Sequence, residues 1–239
     1  MKCWAKCLGH CRDGISGEHY ISAGIINDES VTVIGFPWCR DEPRTIGLNS
    51  AVANVLCTGH NSALSDCDNE AGRFSKSLIE AYLQPLGNHA TTLNGWLLEK
   101  WALRTFVNLG YVQALHQEQP NVIEPPEWLV RYIFWNQSVP DGIGLYHVSD
   151  TVGPDNLDAG LFWNAVQAIE EPNEVMGLVM VFYGVRFVVT VAPGRSEDRI
   201  RKMGVVNRFD FSKSQIVYRP TSITFVSSNA GKKCITLQW

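Results

Sequence analysis

Six of the seven cysteines, Cys3, Cys7, Cys11, Cys39, Cys57 and Cys67, fall in the first 67 residues, and Cys234 stands alone far downstream. The same stretch is rich in Gly, Asn and Ser. A segment that small and loop-heavy folds stably only when something besides an apolar core holds it together. Two runs indicate what that is. "AKCLGHC" sets Cys7, His10 and Cys11 behind Cys3, and "LCTGHN" spells Cys57-x-x-His60. Close spacing lets one tight turn present two ligands, and two such turns complete a tetrahedral zinc site. An odd number of cysteines also suits a metal site with spare thiols better than a set of disulfides. Cys57 and His60 form the firmer half, because their spacing is unambiguous. Cys7 and Cys11 are the favoured first pair, with Cys3 or His10 able to replace a member of it.

An acid–histidine pair, Glu18-His19, lies between the two turns and opens "EHYISAGII". Such a dipeptide means little alone. Here it follows the first cysteine turn, and Asn61 directly follows His60 in the second. Taken together, Cys7 and Cys11, then Glu18-His19-Tyr20-Ile21, then Leu56-Cys57-x-x-His60-Asn61 resemble the HNH endonucleases, the zinc-bearing branch of the ββα-metal superfamily. The resemblance covers residues 3–72, under a third of the chain. It departs from the family pattern in two places. Ser22 stands near the position where a proline usually follows the dipeptide, and Asn61 stands where many members have histidine.

The resemblance implies a metal-dependent endonuclease that hydrolyses phosphodiester bonds, of DNA rather than RNA. It implies His19 as general base and a catalytic Mg2+ or Mn2+ held by Glu18 and Asn61. A structural Zn2+ on Cys7, Cys11, Cys57 and His60 would frame these groups without touching substrate. A middle asparagine, Asn54 or Asn49, would orient His19. The residue types suit these tasks: histidine titrates near neutrality, and hard cations prefer oxygen donors. Asp66 and Asp68 are further oxygen donors, or caps for the helix that follows. The resemblance also implies a restriction, antiviral-defence or mobile-element setting. One site per chain cutting two strands favours a homodimer. Two other expectations compete: a non-catalytic zinc module that binds nucleic acid or protein, and an effector subunit active only with a partner protein.

The absent proline and the acidic N-terminal region support the non-catalytic module. The formal net charge is −4, and residues 1–75 carry six Lys or Arg against nine acids. From Arg195 onward the balance reverses, with nine Lys or Arg (Arg195, Arg199, Arg201, Lys202, Arg208, Lys213, Arg219, Lys232 and Lys233) against three acids. Local clusters of this kind set the field a phosphate backbone feels. The N-terminus carries cysteines and charges where a secretory signal would be apolar. The longest apolar run, residues 175–191, is broken by Arg186 and by glycines, and reads as two buried strands meeting at Tyr183-Gly184 rather than a membrane span. A cytoplasmic protein is expected.

Downstream of the cysteines, residues 92–116 have helical periodicity, and Pro125-Pro126 opens a second helix. Glu99, Lys100 and Arg104 read as an exposed helix face, and Trp38, Trp96, Trp101 and Trp128 as core anchors. From residue 143 onward the pattern is that of strands. The expected fold is α+β. A small zinc-stabilised ββα-metal module spans residues 1–75. A helical segment and a mainly antiparallel β region, of undefined role, span 76–239.

Overall fold

A computed structural model describes residues 3–26, 28–83, 90–112, 124–149, 155–156, 160–168, 175–192, 200–205, 209–226 and 233–239. The chain is mixed α+β. Its first part is built on two antiparallel ribbons. β1 (Ile15–His19) pairs with β4 (Val52–Cys57), and β2 (Ser30–Val33) pairs with β3 (Arg44–Gly47). The short helix α1 (Thr58–Ser62) and the long helix α2 (Ser65–Leu83) follow β4 directly. Residue 75, where the first unit is expected to end, therefore lies inside α2.

β5 (Ala90–Asn94) then leads into α3 (Gly95–Tyr111), so the helix expected from residue 92 starts at Gly95. Asn94 caps it, its side chain accepting the Leu97 N–H at 3.2 Å. α4 (Glu127–Trp135) begins after Pro126 and ends at Asn136, whose φ of 55° stops it in the left-handed conformation.

The remaining strands are β6 (Gly144–Ser149), β7 (Asp155–Asn156), β8 (Leu161–Ala168), β9 (Val175–Phe182), β10 (Val185–Thr190), β11 (Met203–Val205), β12 (Phe209–Asp210), β13 (Gln215–Tyr218), β14 (Ser222–Val226) and β15 (Lys233–Gln238). Seven of them form an antiparallel sheet in the order β12-β11-β8-β9-β10-β6-β13. The apolar run of residues 175–191 supplies β9 and β10 as its middle. Both are buried along most of their length, and the turn between them has positive φ at Tyr183 and Gly184, as a two-residue primed turn requires. A four-stranded sheet, β5-β15-β14-β7, mixes antiparallel and parallel neighbours. In it β5 runs parallel to β15, and β14 parallel to β7.

The main core lies between the helices and one face of the larger sheet. Phe74 of α2 meets Phe182 and Phe187 edge-on at 5.4 Å, and Trp101 of α3 meets Phe182 at 5.8 Å. This core runs from Cys3 to Leu237 without a break between the two parts of the sequence. A smaller cluster around Val148, Val188 and Phe211 covers the other face.

α3 is the centre of the molecule. Glu99 and Arg104 are 0% exposed and Lys100 is 6% exposed, which overturns the exposed face expected of them. A helix largely surrounded by other elements has little solvent side, and Glu99 and Arg104 survive there because they are paired. Of the four tryptophans expected in the core, Trp101 is buried, Trp128 is half-buried, and Trp38 and Trp96 are exposed. No helix among the described residues is long and apolar enough to cross a membrane.

Candidate metal centre and adjoining pocket

Trp4 N–H bonds Val55 O at 3.0 Å, laying the N-terminal segment along β4, and Thr58 N–H bonds Gly14 O at 3.1 Å where the chain returns. Between these ties the chain reverses through Gly9 and His10, both with positive φ. The reversal carries Cys11 back toward Cys3. On the other side Cys57 ends β4 and caps α1, its sulfur accepting the His60 N–H at 3.4 Å. One turn of helix then brings the His60 ring beside the same sulfur.

The result is a cluster of Cys3, Cys11, Cys57 and His60, whose ligand atoms all lie within 4.8 Å of one another. His60 Nδ1 is 3.4 Å from Cys3 Sγ, 3.8 Å from Cys11 Sγ and 3.2 Å from Cys57 Sγ. The edge joining nitrogen and sulfur in tetrahedral zinc coordination is about 3.6 Å long, given ordinary zinc–ligand bonds. The four side chains therefore fit a metal ion such as zinc.

Burial and backbone hydrogen bonds set the protonation of these groups. Burial pushes the Cys3 thiol up to about 12, and hydrogen bonds from the backbone of Cys57 and Ala5 offset only part of this. Burial also raises Cys11. At Cys57 burial acts upward too, but backbone hydrogen bonds from His60 and Arg12 outweigh it, and the thiol is lowered. Burial and the neighbouring His10 lower His60, which keeps its ring in the neutral, ligating form. Burial thus holds Cys3 and Cys11 as thiols, and a bound cation would have to draw off their protons to gather three thiolates here.

Cys3, not Cys7, completes the set. Cys7 sits in the 3-10 turn Lys6–Leu8, which buries Leu8 and turns Cys7 out to solvent. His10 is exposed and also lies outside the cluster. Cys39 and Cys67 are buried elsewhere as spare thiols.

Beside the cluster, β1 ends in a pocket of about 390 Å³. Glu18, His19, Ser22, Asn61, Ser65 and Asp68 contribute to its wall. The β1–β4 register shifts between Ser16 and Glu18, an irregularity of the kind that re-aims side chains at sites. His19 Nε2 is shielded from solvent and has no hydrogen-bond partner among the described residues. Glu18 is 5% exposed, with Oε1 2.9 Å from Arg104 Nη1. Burial raises its carboxyl to about 7; Arg104 and a hydrogen bond from Asn61 act downward, and Asp68 upward. Asn61 Nδ2 also donates to Ser16 Oγ at 3.2 Å.

Glu18, His19 and Asn61 are thus brought together. Of the two aspartates singled out in the sequence, Asp68 lines the pocket and Asp66 does not. Asn54 is exposed on β4 and Asn49 is exposed in the turn Leu48–Ser50, and neither reaches the pocket wall. The register sets Ala53, not Asn54, opposite Glu18, which leaves the orienting task without its expected asparagine. Ser22 and Arg104 carry no motif of their own. The absence of proline after the dipeptide was the signal for Ser22, and no local signal marked Arg104, which shares α3 with Glu99 and Lys100.

Of the five described basic residues in the C-terminal stretch, three are engaged elsewhere. Arg201 donates to Ser214 O at 2.7 Å, Arg219 holds Glu99 at 2.8 Å, and Lys233 donates to Ala81 O at 2.8 Å. Lys202 and Lys213 are exposed, and Arg195, Arg199, Arg208 and Lys232 lie outside the described residues. No family model, curated protein or solved structure matches this chain.

Proposed function

We propose that the chain is a metal-dependent endonuclease that hydrolyses phosphodiester bonds of DNA, with the β1–β4 ribbon and the helices after it serving as a zinc-framed ββα-metal module of the HNH type. One observation carries the reading: the buried Nε2 of His19, without a partner among the described residues, in a pocket whose other polar side chains are carboxylate, amide and hydroxyl. An orphaned buried nitrogen costs stability, and such costs gather at functional sites. The strand–strand–helix order of β1, β4 and α1–α2 supports it, as do the four ligands beside the ribbon.

In this reading His19 Nε2 takes the proton of the attacking water, having no partner among the described residues. Zn2+ on Cys3, Cys11, Cys57 and His60 fixes the start of α1 against β1, so that Asn61 faces Glu18. Oxygens of Glu18 and Asn61, with Asp68 beside them, would hold Mg2+ or Mn2+, a donor set suited to a hard cation. Once bound, that ion would supply Lewis acidity at the phosphate and stabilise the leaving oxygen. Ser22, on the pocket wall, accepts Trp101 Nε1–H at 2.9 Å. A duplex cut on both strands calls for two chains, and a homodimer or partner protein belongs to the proposal for that reason.

The engagement of Glu18 by Arg104 favours a second reading, a non-catalytic zinc module that binds nucleic acid or protein. Plasmid DNA incubated with Mn2+ separates the two. The parent protein is expected to nick it, and His19→Ala to lose about 100-fold or more of the rate while keeping its zinc. Equal cleavage by both proteins, or none by either, excludes the nuclease.

A further inference from the structure

Glu18, Asp68 and Ser22 come from three different segments and meet on one side chain of α3. Arg104 is completely buried. Its Nη1 lies 2.9 Å from Glu18 Oε1 and 2.8 Å from Asp68 Oδ2. Its Nη2 lies 2.7 Å from both Asp68 Oδ1 and Ser22 Oγ. Two of these contacts are hydrogen bonds, Nη1 to Asp68 Oδ2 and Nη2 to Ser22 Oγ, Glu18 and the other Asp68 oxygen complete the ion pair, and Nε lacks a partner among the described residues. Ser22 Oγ also accepts Trp101 Nε1–H at 2.9 Å. A hydroxyl that receives two donors has one proton left to give, and here it goes to Asp68. Every polar atom of this serine and both oxygens of Asp68 are engaged from behind.

We propose that Arg104 is a positioning residue of the candidate cation site: its guanidinium fork, backed by α3, locks Glu18 and Asp68 into one fixed pair at the pocket wall. The inference rests on the reading that a divalent cation binds there. It makes α3, well outside the residues that resemble the HNH endonucleases, a working part of the site. A lysine would keep the charge but could not hold two carboxylates and a hydroxyl in one plane. Groups that hold metal ligands in place usually contribute 10- to 100-fold, roughly, to affinity or rate when mutated.

The test is titration of Mn2+ into the zinc-loaded protein, followed by electron paramagnetic resonance of the free ion, for the parent, Arg104→Lys and Ser22→Ala. Zinc content and a melting curve establish that each variant is folded. The expected result is Mn2+ binding by the parent that weakens about 10-fold or more in Arg104→Lys and less in Ser22→Ala. Unchanged Mn2+ affinity in a folded Arg104→Lys overturns the inference, as does a parent that binds no Mn2+. If Arg104→Lys does not fold, Ser22→Ala decides by the same criterion. A parent that binds Mn2+ through Arg104-held carboxylates but leaves DNA intact would remove the nuclease and leave the positioning role standing.

Discussion

Glu18 is the residue on which opposing forces meet most directly. Burial disfavours its charged form, and Arg104 and Asn61 recover only part of the loss, so its carboxyl sits raised at about 7 against an ordinary 4.5. A raised carboxyl binds its proton more tightly in the folded chain than in the unfolded one. Its contribution to stability is therefore complete below the ordinary value and is lost as pH rises through the raised one. For zinc-loaded protein without Mg2+ or Mn2+, the melting temperature is expected to fall between pH 5 and pH 8. The loss is bounded by roughly 3 kcal/mol. Glu18→Gln should flatten that slope, and a variant with the parent's full pH dependence would place its origin elsewhere. An added hard cation opposes the trend, since it favours the carboxylate.

At the scale of elements, the metal cluster shows where reading the sequence worked and where it stopped. Cys57-x-x-His60 was legible because one residue does two jobs: Cys57 caps α1 and also faces His60 one turn later. The first pair was not settled, because spacing alone does not reveal which side of the turn Lys6–Leu8 faces solvent. Leu8 decides it by burying itself and expelling Cys7. Cys3→Ser is accordingly expected to lose zinc, as read by elemental analysis of purified protein, and to melt far below the parent. Cys7→Ser should retain one zinc per chain and melt with the parent. The reverse pattern would refute the cluster as described. Glu18, His19 and Asn61 were singled out by the resemblance, and what sets them on one pocket wall is the long-range pairing of β1 with β4. Arg104 was not. It reaches Glu18 across 86 positions of sequence, and nothing local distinguishes a buried clamp from a solvated helix charge.

Over the whole molecule, α3 joins everything. One of its charged residues backs the pocket; another, Glu99, ties the C-terminal region to the same helix. Glu99 accepts from Leu145 N–H at 2.9 Å and from Arg219 Nε at 3.0 Å and Nη2 at 2.8 Å, and also from the Tyr132 hydroxyl. The Arg219 guanidinium lies 4.3 Å from the Trp96 ring centre. Gly144, with φ of 139°, lets β6 pass against this carboxylate: a methyl group there would fall 2.3 Å from Glu99 Oε2. Gly144→Ala is expected to destabilise the protein by about 2–3 kcal/mol in urea denaturation. A change within 0.5 kcal/mol, roughly the scatter of surface substitutions, would show that the helix tolerates movement there. The hairpin of β9 and β10 could be read from its apolar run because it is closed by two residues. The order of the sheets could not, since it depends on pairings such as β5 with β15 that join distant stretches.

That last pairing has a temporal side. A chain emerging from the ribosome exposes its thiols early, and they can capture an ion while most of the protein is still unmade. β5, which leads into α3, gains its neighbour only when residues 233–238 have emerged, and Glu99 gains Arg219 only slightly sooner. Both partners of the segment that carries Arg104 thus lie near the end of the sequence, and the ribosome releases them last.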